Sequence, residues 1–342
     1  MKIGILTHPQ GTNYGGILQC YALCTYLRKL GHEPIVIQRV ADKSFFLWSI
    51  IRYILRICHF PRYYHPETVD RMANIHPFIN KHLTRTAPID SQCKMKRVCK
   101  KYGLDAVVVG SDQVWRHDYA MKYGFNYFLD FVPDNVVKFS YAASFGLSDW
   151  QYTQNQTEII KQLLDRFKGI SVREEDALSL IKDNTGKNAQ QLIDPTMLLK
   201  KEDYDKITSR RLVEDRYVFV YWLGEKNLIA SDIERYKTEG YTIVNINLRD
   251  ICEQISVEDW LSYIKYADYV ITDSFHGCVF SILFERQFIA FGNKSGGNSR
   301  IKSLCKMFGF EPETYKQYLN VNSKLEILRH KAENYINNIC GR

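Results

Sequence analysis

The chain has 342 residues, 45% of them apolar, a formal net charge of +8 and nine cysteines. That length exceeds the usual size of one core and predicts two domains. No run reaches the roughly 18 uncharged apolar residues of a membrane span, and no recognition motif accompanies the basic excess, so membrane-spanning proteins and nucleic-acid binders are set aside.

The excess suits anionic small substrates or an anionic membrane surface. The cysteines form no CxxC, and several sit inside apolar runs. They read as free thiols of a reducing compartment, with no metal site expected. The start, MKIGILTH, goes straight into a strand-like run, so no signal peptide is read and a cytoplasmic location is expected.

In chain order, Lys2–Thr7 is a short apolar strand, followed by a loop to Gly16. Ile17, Leu18, Tyr21, Ala22, Cys24, Leu27 and Leu30 then recur at helical spacing up to Gly31, and Pro34–Val40 is the next strand. This is a β-loop-α-β unit of a parallel sheet. Leu104–Val109, Val137–Ser144 and Gly169–Val172 read as further strands. Asp194-Pro195 breaks the rhythm, which places one domain at 1–197 and a second at 198–342. Strands Arg216–Leu223, Thr242–Leu248, Tyr269–Thr272 and Phe288–Phe291 alternate there with helices, including Cys278–Phe284, and the tail is helical. The expected fold is α/β, two Rossmann-like domains with mostly parallel sheets.

A variable stretch at about 41–100 departs from this pattern. Within it, Phe45–Phe60 holds Arg52 and Arg56 one helical turn apart among aromatics and aliphatics, which suits a helix lying in a membrane interface or one packed on protein. The first of these readings makes the protein peripheral at the inner face of the membrane.

In open parallel sheets, ligands bind beyond the carboxyl ends of the strands. The polar residues delivered there are therefore the candidates. Asn13, Tyr14 and Gly15 open the first helix, where free N–H groups favour an anion. Ser111, Asp112 and Trp115 follow the Val109 strand, and Ser144 ends the next. Arg173 offers a fork for carboxylate or phosphate. Asp273-Ser-Phe-His-Gly277 interrupts two apolar runs, with Ser274, His276 and Gly277 at a strand-to-helix turn, where Ser274 and Gly277 are candidates for donor binding and the Gly277 and Cys278 amides would form part of a helix N-terminal anion site. His276 there suits acid–base work. Lys294 and Arg300 flank a glycine pair in a basic loop.

The ordered set NYGGILQCYAL, VVVGSDQVW, SYAASFG, SVREEDAL, IDPTMLL, VITDSFHGCVFSILF and NSRIKSLC resembles the polysaccharide pyruvyl transferase family. The resemblance implies a GT-B-like fold with the active site between the domains. It implies transfer of a pyruvyl group from phosphoenolpyruvate to sugar hydroxyls, as a ketal with release of phosphate. The acceptor would be a sugar or lipid-linked oligosaccharide. Phosphoenolpyruvate would be a co-substrate, and no cofactor is implied. Arg173 matches the arginine of the Ser-x-Arg stretch, a donor ligand, and His276 a general acid. Relatives carry arginine two residues before that histidine where this chain has Ser274, so Lys294 and Arg300 are the candidates for the missing charge, with Asp112 orienting the acceptor hydroxyl. Two other functions remain open at this stage. One is a nucleotide-sugar glycosyltransferase using Glu285 on the ribose; the other is a non-catalytic glycan binder.

Overall fold

The computed structural model describes residues 1–40, 72–224, 229–246, 255–292, 298–309 and 321–341. Phe45–Phe60 and Lys294 lie outside the described residues.

Four strands, β1 (Lys2–Leu6), β2 (Glu33–Val36), β3 (Ala106–Val109) and β4 (Val137–Ser140), form a parallel sheet in the order β2-β1-β3-β4. Helix α1 (Tyr14–Lys29) makes the first crossover. Asn13 starts it by accepting a hydrogen bond from the Gly16 amide, as an N-cap should. Helices α2 (His76–His82) and α3 (Gln92–Tyr102) precede β3, α4 (His117–Ala120) follows it, and α5 (Gln154–Leu164) follows β4. The short pair β5 (Ser171–Val172) and β6 (Gln190–Gln191) flanks α6 (Asp176–Thr185) and extends the sheet edge through bridges from Phe139 to Gly169 and from Ala143 to Val172.

A 3-10 turn at Pro195–Leu198 and helix α7 (Lys201–Asp205) lead to a second parallel sheet. Its strands are β7 (Tyr217–Tyr221), β8 (Thr242–Ile246), β9 (Tyr269–Thr272) and β10 (Gln287–Ala290), in the order β10-β9-β7-β8. Helices α8 (Ala230–Thr238), α9 (Val257–Tyr266) and α10 (Phe275–Leu283) connect them. After β10 come α11 (Asn298–Phe308) and α12 (Val321–Cys340).

Alternation along the strands explains the layers. Ile3 and Ile5 of β1, and Ala106 and Val108 of β3, enter one core; Leu6, Val107 and Val109 enter the core on the other face. In β7, Tyr217, Phe219 and Tyr221 face inward while Val218 and Val220 pack against α8 residues on the far side. The inward core is shared: α1 from the first half and α9 and α10 from the second belong to one buried cluster. Tyr14 shows how the halves meet, stacked on Trp260 at 5.5 Å with its hydroxyl donating to Ile255 O at 2.9 Å.

The expected division at 197/198 assigns α12 to the second half, and in space α12 also contacts the first. Arg329 donates to the carbonyls of Met197 and Leu199, Tyr335 donates to Ser140 O, and Lys168 donates to Ile339 O.

Candidate active site

β9 ends at Thr272, whose hydroxyl donates to Tyr221 O and accepts from Ser274 N. Asp273 then braces the neighbouring strand end by accepting from Leu223 N at 2.7 Å. Ser274 is the N-cap of α10, its Oγ accepting from Gly277 N. The helix therefore begins three residues before Cys278, the start that spacing alone predicts, and His276 lies inside its first turn. The Gly277 amide is taken by the cap and that of Cys278 by Ser274 O. The anion-facing amides expected of this turn are already bonded. Ser274 and Gly277 build the turn, and a Cβ at 277 would overlap Thr272 Oγ1.

The turn delivers Phe275 and His276 into a buried charge cluster of the first half. Asp194 is its pivot. Its Oδ2 accepts from Arg173 Nη1 at 2.8 Å and lies 3.3 Å from Ser111 Oγ and 3.6 Å from His276 Nε2. Its Oδ1 accepts from the amide and hydroxyl of Thr196. Burial alone would raise this carboxyl; His276 and Arg173 outweigh it and hold the group well below the carboxylate range. Arg173 is 3% exposed and also donates from Nε to Glu174 Oε1 at 2.9 Å, and its guanidinium lies 4.2 Å from the centre of the Phe275 ring. Burial works against its charge, but Glu174, Asp194 and Asp112 raise its pKa still further. Two arms of Arg173 are thus committed to acids, and Nη2 remains, 4.0 Å from Asp112 Oδ1.

Asp112 faces this cluster from the strand end of β3. Burial would raise its carboxyl too, but His8, Arg173, His276 and Arg300 hold it below its ordinary value. Arg300, at the start of α11, sits among Arg173, Glu174, Asp112 and Arg116; burial and then Arg173 lower its pKa, with Glu174 and Asp112 opposing. Among the described residues, six buried atoms of this neighbourhood have no hydrogen-bond partner: His8 Nε2, Arg116 Nε, Arg173 Nη2, Glu174 Oε2, His276 Nε2 and Arg300 Nε. Buried polar atoms are rarely left so, which makes this cluster the candidate site for a polar ligand. Beside Asp112 a pocket of about 300 Å³ is lined by His8, Gln10, Asn13, Gln113 and Tyr119 among others.

The remaining candidates separate. Asn13 is exposed at the pocket while holding the α1 cap, and Gly15 lies directly under His276. Ser111 is buried, with its hydroxyl on Ala142 O and its amide on Gln19. Ser144 supports Asp112, donating from its amide to Asp112 O. Tyr14 and Trp115 are core residues with no exposed surface, and the Trp115 indole donates to Tyr127 O. Glu285, the acid of the glycosyltransferase reading, stands just before β10, at the sheet edge opposite the cluster, and accepts from Asn322.

The family model for polysaccharide pyruvyl transferases matches residues 13–295. The chain belongs to that family. No curated protein matches its sequence. Among solved structures, the backbone of this pyruvyl transferase family member is similar to a putative UDP-N-acetylglucosamine 2-epimerase from Listeria monocytogenes, with TM-score 0.51 and 9% identity over 99% of this chain and 90% of that one. The UDP-GlcNAc 2-epimerase of Methanocaldococcus jannaschii aligns at TM-score 0.47 and 12% identity, covering 97% of this chain and 100% of that one. The spinosyn rhamnosyltransferase SpnG aligns at TM-score 0.44 and 11% identity, covering 100% and 92%. At 9% identity the likeness to the Listeria protein is one of fold alone, α/β with parallel sheets.

Sequence reading of this family member missed Asp194, His8, Arg116 and Glu174. Asp194 had a signal, since Asp-Pro after β6 stops the chain where a strand end delivers it, but it reads equally well as a domain break. His8 follows β1 directly and satisfies the same strand-end rule as His276. Arg116 and Glu174 have no signal beyond adjacency to Asp112 and Arg173.

Proposed function

We propose that the protein transfers a pyruvyl group from phosphoenolpyruvate to two hydroxyls of a sugar, forming a ketal and releasing phosphate. Family membership supports the reaction class. The observation that carries the reading at this site is a set of buried Arg116, Arg173 and Arg300 nitrogens, without a partner among the described residues and electrostatically coupled to one another, together with an Asp–His pair. The donor brings a carboxylate and a phosphate, and planar guanidinium groups match both. Lys294 remains a candidate fourth cation.

Protonated His276, stabilised by Asp194, gives its proton to C3 of the donor while Asp112 takes the proton of the first sugar hydroxyl. That oxygen bonds to C2. Asp112 then returns its proton to the departing phosphate oxygen, and His276 takes the proton of the second hydroxyl as its oxygen closes the ketal on C2. Each group ends as it began. The arginines hold the donor anions in place and stabilise the charge that develops on phosphate. The sugar occupies the pocket beside Asp112, where Tyr119 and His8 offer ring faces or edges and Asn13, Gln10 and Gln113 offer amides.

The test is phosphate release from phosphoenolpyruvate over a panel of free and lipid-linked sugars, with mass analysis for a pyruvate ketal on the acceptor. Release coupled to ketal formation supports the reading. Stabilisation by nucleotide sugars, with none by phosphoenolpyruvate, would replace it with glycosyl transfer.

A further inference from the structure

Arg300 occupies an unfavourable place. It is brought by α11 of the second half within electrostatic reach of Arg173 and Arg116 of the first; burial and these like charges oppose its own charge, and Glu174 and Asp112 offset them only in part. Something must seat it there. Ser303 lies three residues on, hence on the same helix face. Its Oγ accepts from Glu175 N at 3.1 Å and from Gln191 Nε2 at 3.1 Å, both in the first half. Gln191 Nε2 also donates to Arg173 O at 3.1 Å, so one amide touches the backbone of Arg173 and the hydroxyl one turn from Arg300. One turn further, Lys306 pairs with Glu175 at 2.6 Å, but both groups are more than half exposed and the pair is screened by water. The surrounding seam is only partly filled, with a cavity of about 230 Å³ lined by Glu175, Gln191, Ser303 and Lys306 among others.

We propose that Ser303 is a positioning residue: its bonds to Glu175 and Gln191 latch α11 to the first half and hold Arg300 beside Arg173, so that the anion site is completed by both halves. That the anion is phosphoenolpyruvate rests on the function proposed above; the latch does not.

The variants are Ser303→Ala, Ser303→Thr, which keeps the accepting oxygen, and Lys306→Ala as the exposed comparison. On unliganded protein, labelling of Arg300 by phenylglyoxal and exchange of the Glu175 amide are followed by mass spectrometry. Both should rise roughly threefold to tenfold in Ser303→Ala, the worth of one or two hydrogen bonds, and return towards wild type in Ser303→Thr. Lys306→Ala should change neither. Unchanged Arg300 labelling in Ser303→Ala overturns the proposal, as does an equal effect of Lys306→Ala. The second arm titrates phosphoenolpyruvate and inorganic phosphate by calorimetry. Ser303→Ala should raise the Kd of whichever anion wild type binds by a similar factor, and should raise KM while leaving kcat. Greater Arg300 labelling with unchanged anion affinity also overturns the positioning role. Failure of wild type to bind phosphoenolpyruvate sinks the reaction proposed above, while phosphate binding and the labelling still decide the latch.

Discussion

Gly15 and His276 occupy adjoining space across the two halves: a Cβ on Gly15 would overlap the Nδ1 edge of the imidazole. The glycine stands in the first turn of α1, the histidine in the first turn of α10, and each helix follows a strand end of its own sheet. The glycine-bearing turn that opens α1, expected from sequence to favour an anion, has a steric task. It is the clearance that lets the imidazole reach Asp194. Gly15→Ala should cost about 1–3 kcal/mol through overpacking or displace the ring. Since the clash falls on the ring directly, turnover should fall more than a hundredfold while the far-ultraviolet circular dichroism stays native. Wild-type turnover in this variant would show that the ring position is not needed.

His276→Ala removes the proposed acid without disturbing the cap, because Ser274 and Thr272 make that turn. Phosphate release with acceptor present should drop by about 10²–10⁴-fold. The shift in Tm produced by phosphoenolpyruvate should largely persist, since the arginines bind the donor. Loss of donor binding together with turnover would make His276 a ligand and leave the acid unassigned.

Asp194 gives a prediction in pH. Its carboxyl is held well below its ordinary value in the folded protein. A depressed carboxyl stabilises the fold above its unfolded pKa, and that contribution is lost as pH falls through the folded one. Asp194→Asn should cost about 3–5 kcal/mol near neutrality, as for a broken buried pair. The difference in Tm from wild type should narrow progressively below about pH 4, where the unfolded wild-type chain begins to take up the proton that the folded carboxyl still refuses. A difference that stays constant down to pH 2 would mean Asp194 is not the group that responds.

Much of this was legible in the strands. Tyr269–Thr272 and Lys2–Leu6 are continuous apolar runs followed at once by polar residues, and parallel sheets place such residues at the ligand edge. That rule singles out His276, Asp112 and Arg173, which the structure brings into one buried charge cluster. The roles of Ser274 and Gly277 were not, because a cap and an anion site use the same residue types and only the hydrogen bonds tell them apart. Arg173 shows the same ambiguity: a strand-end arginine can bind a ligand or brace an acid, and here two of its nitrogens brace Asp194 and Glu174. Asp194 escaped notice because its partners are 21 and 82 residues away along the chain, and no local pattern encodes such a meeting.

Arg300 separates binding from folding most clearly. In the unliganded protein it has burial and the like charge of Arg173 against it, with Glu174 and Asp112 in partial compensation. Removing it should therefore leave Tm unchanged or raise it slightly. A bound dianion reverses the balance, because the same guanidinium then faces opposite charge with little water between. Arg300→Ala should weaken phosphoenolpyruvate by at least tenfold, the loss of a charge-assisted hydrogen bond of about 1.5–3 kcal/mol. Arg300→Lys should recover only part of this, since a point charge does not reproduce the planar fork. Calorimetric titration of the three proteins reads the affinities and a thermal scan without ligand reads the fold. A variant that loses stability but not donor affinity would make Arg300 a structural tie between the halves and remove it from the anion site.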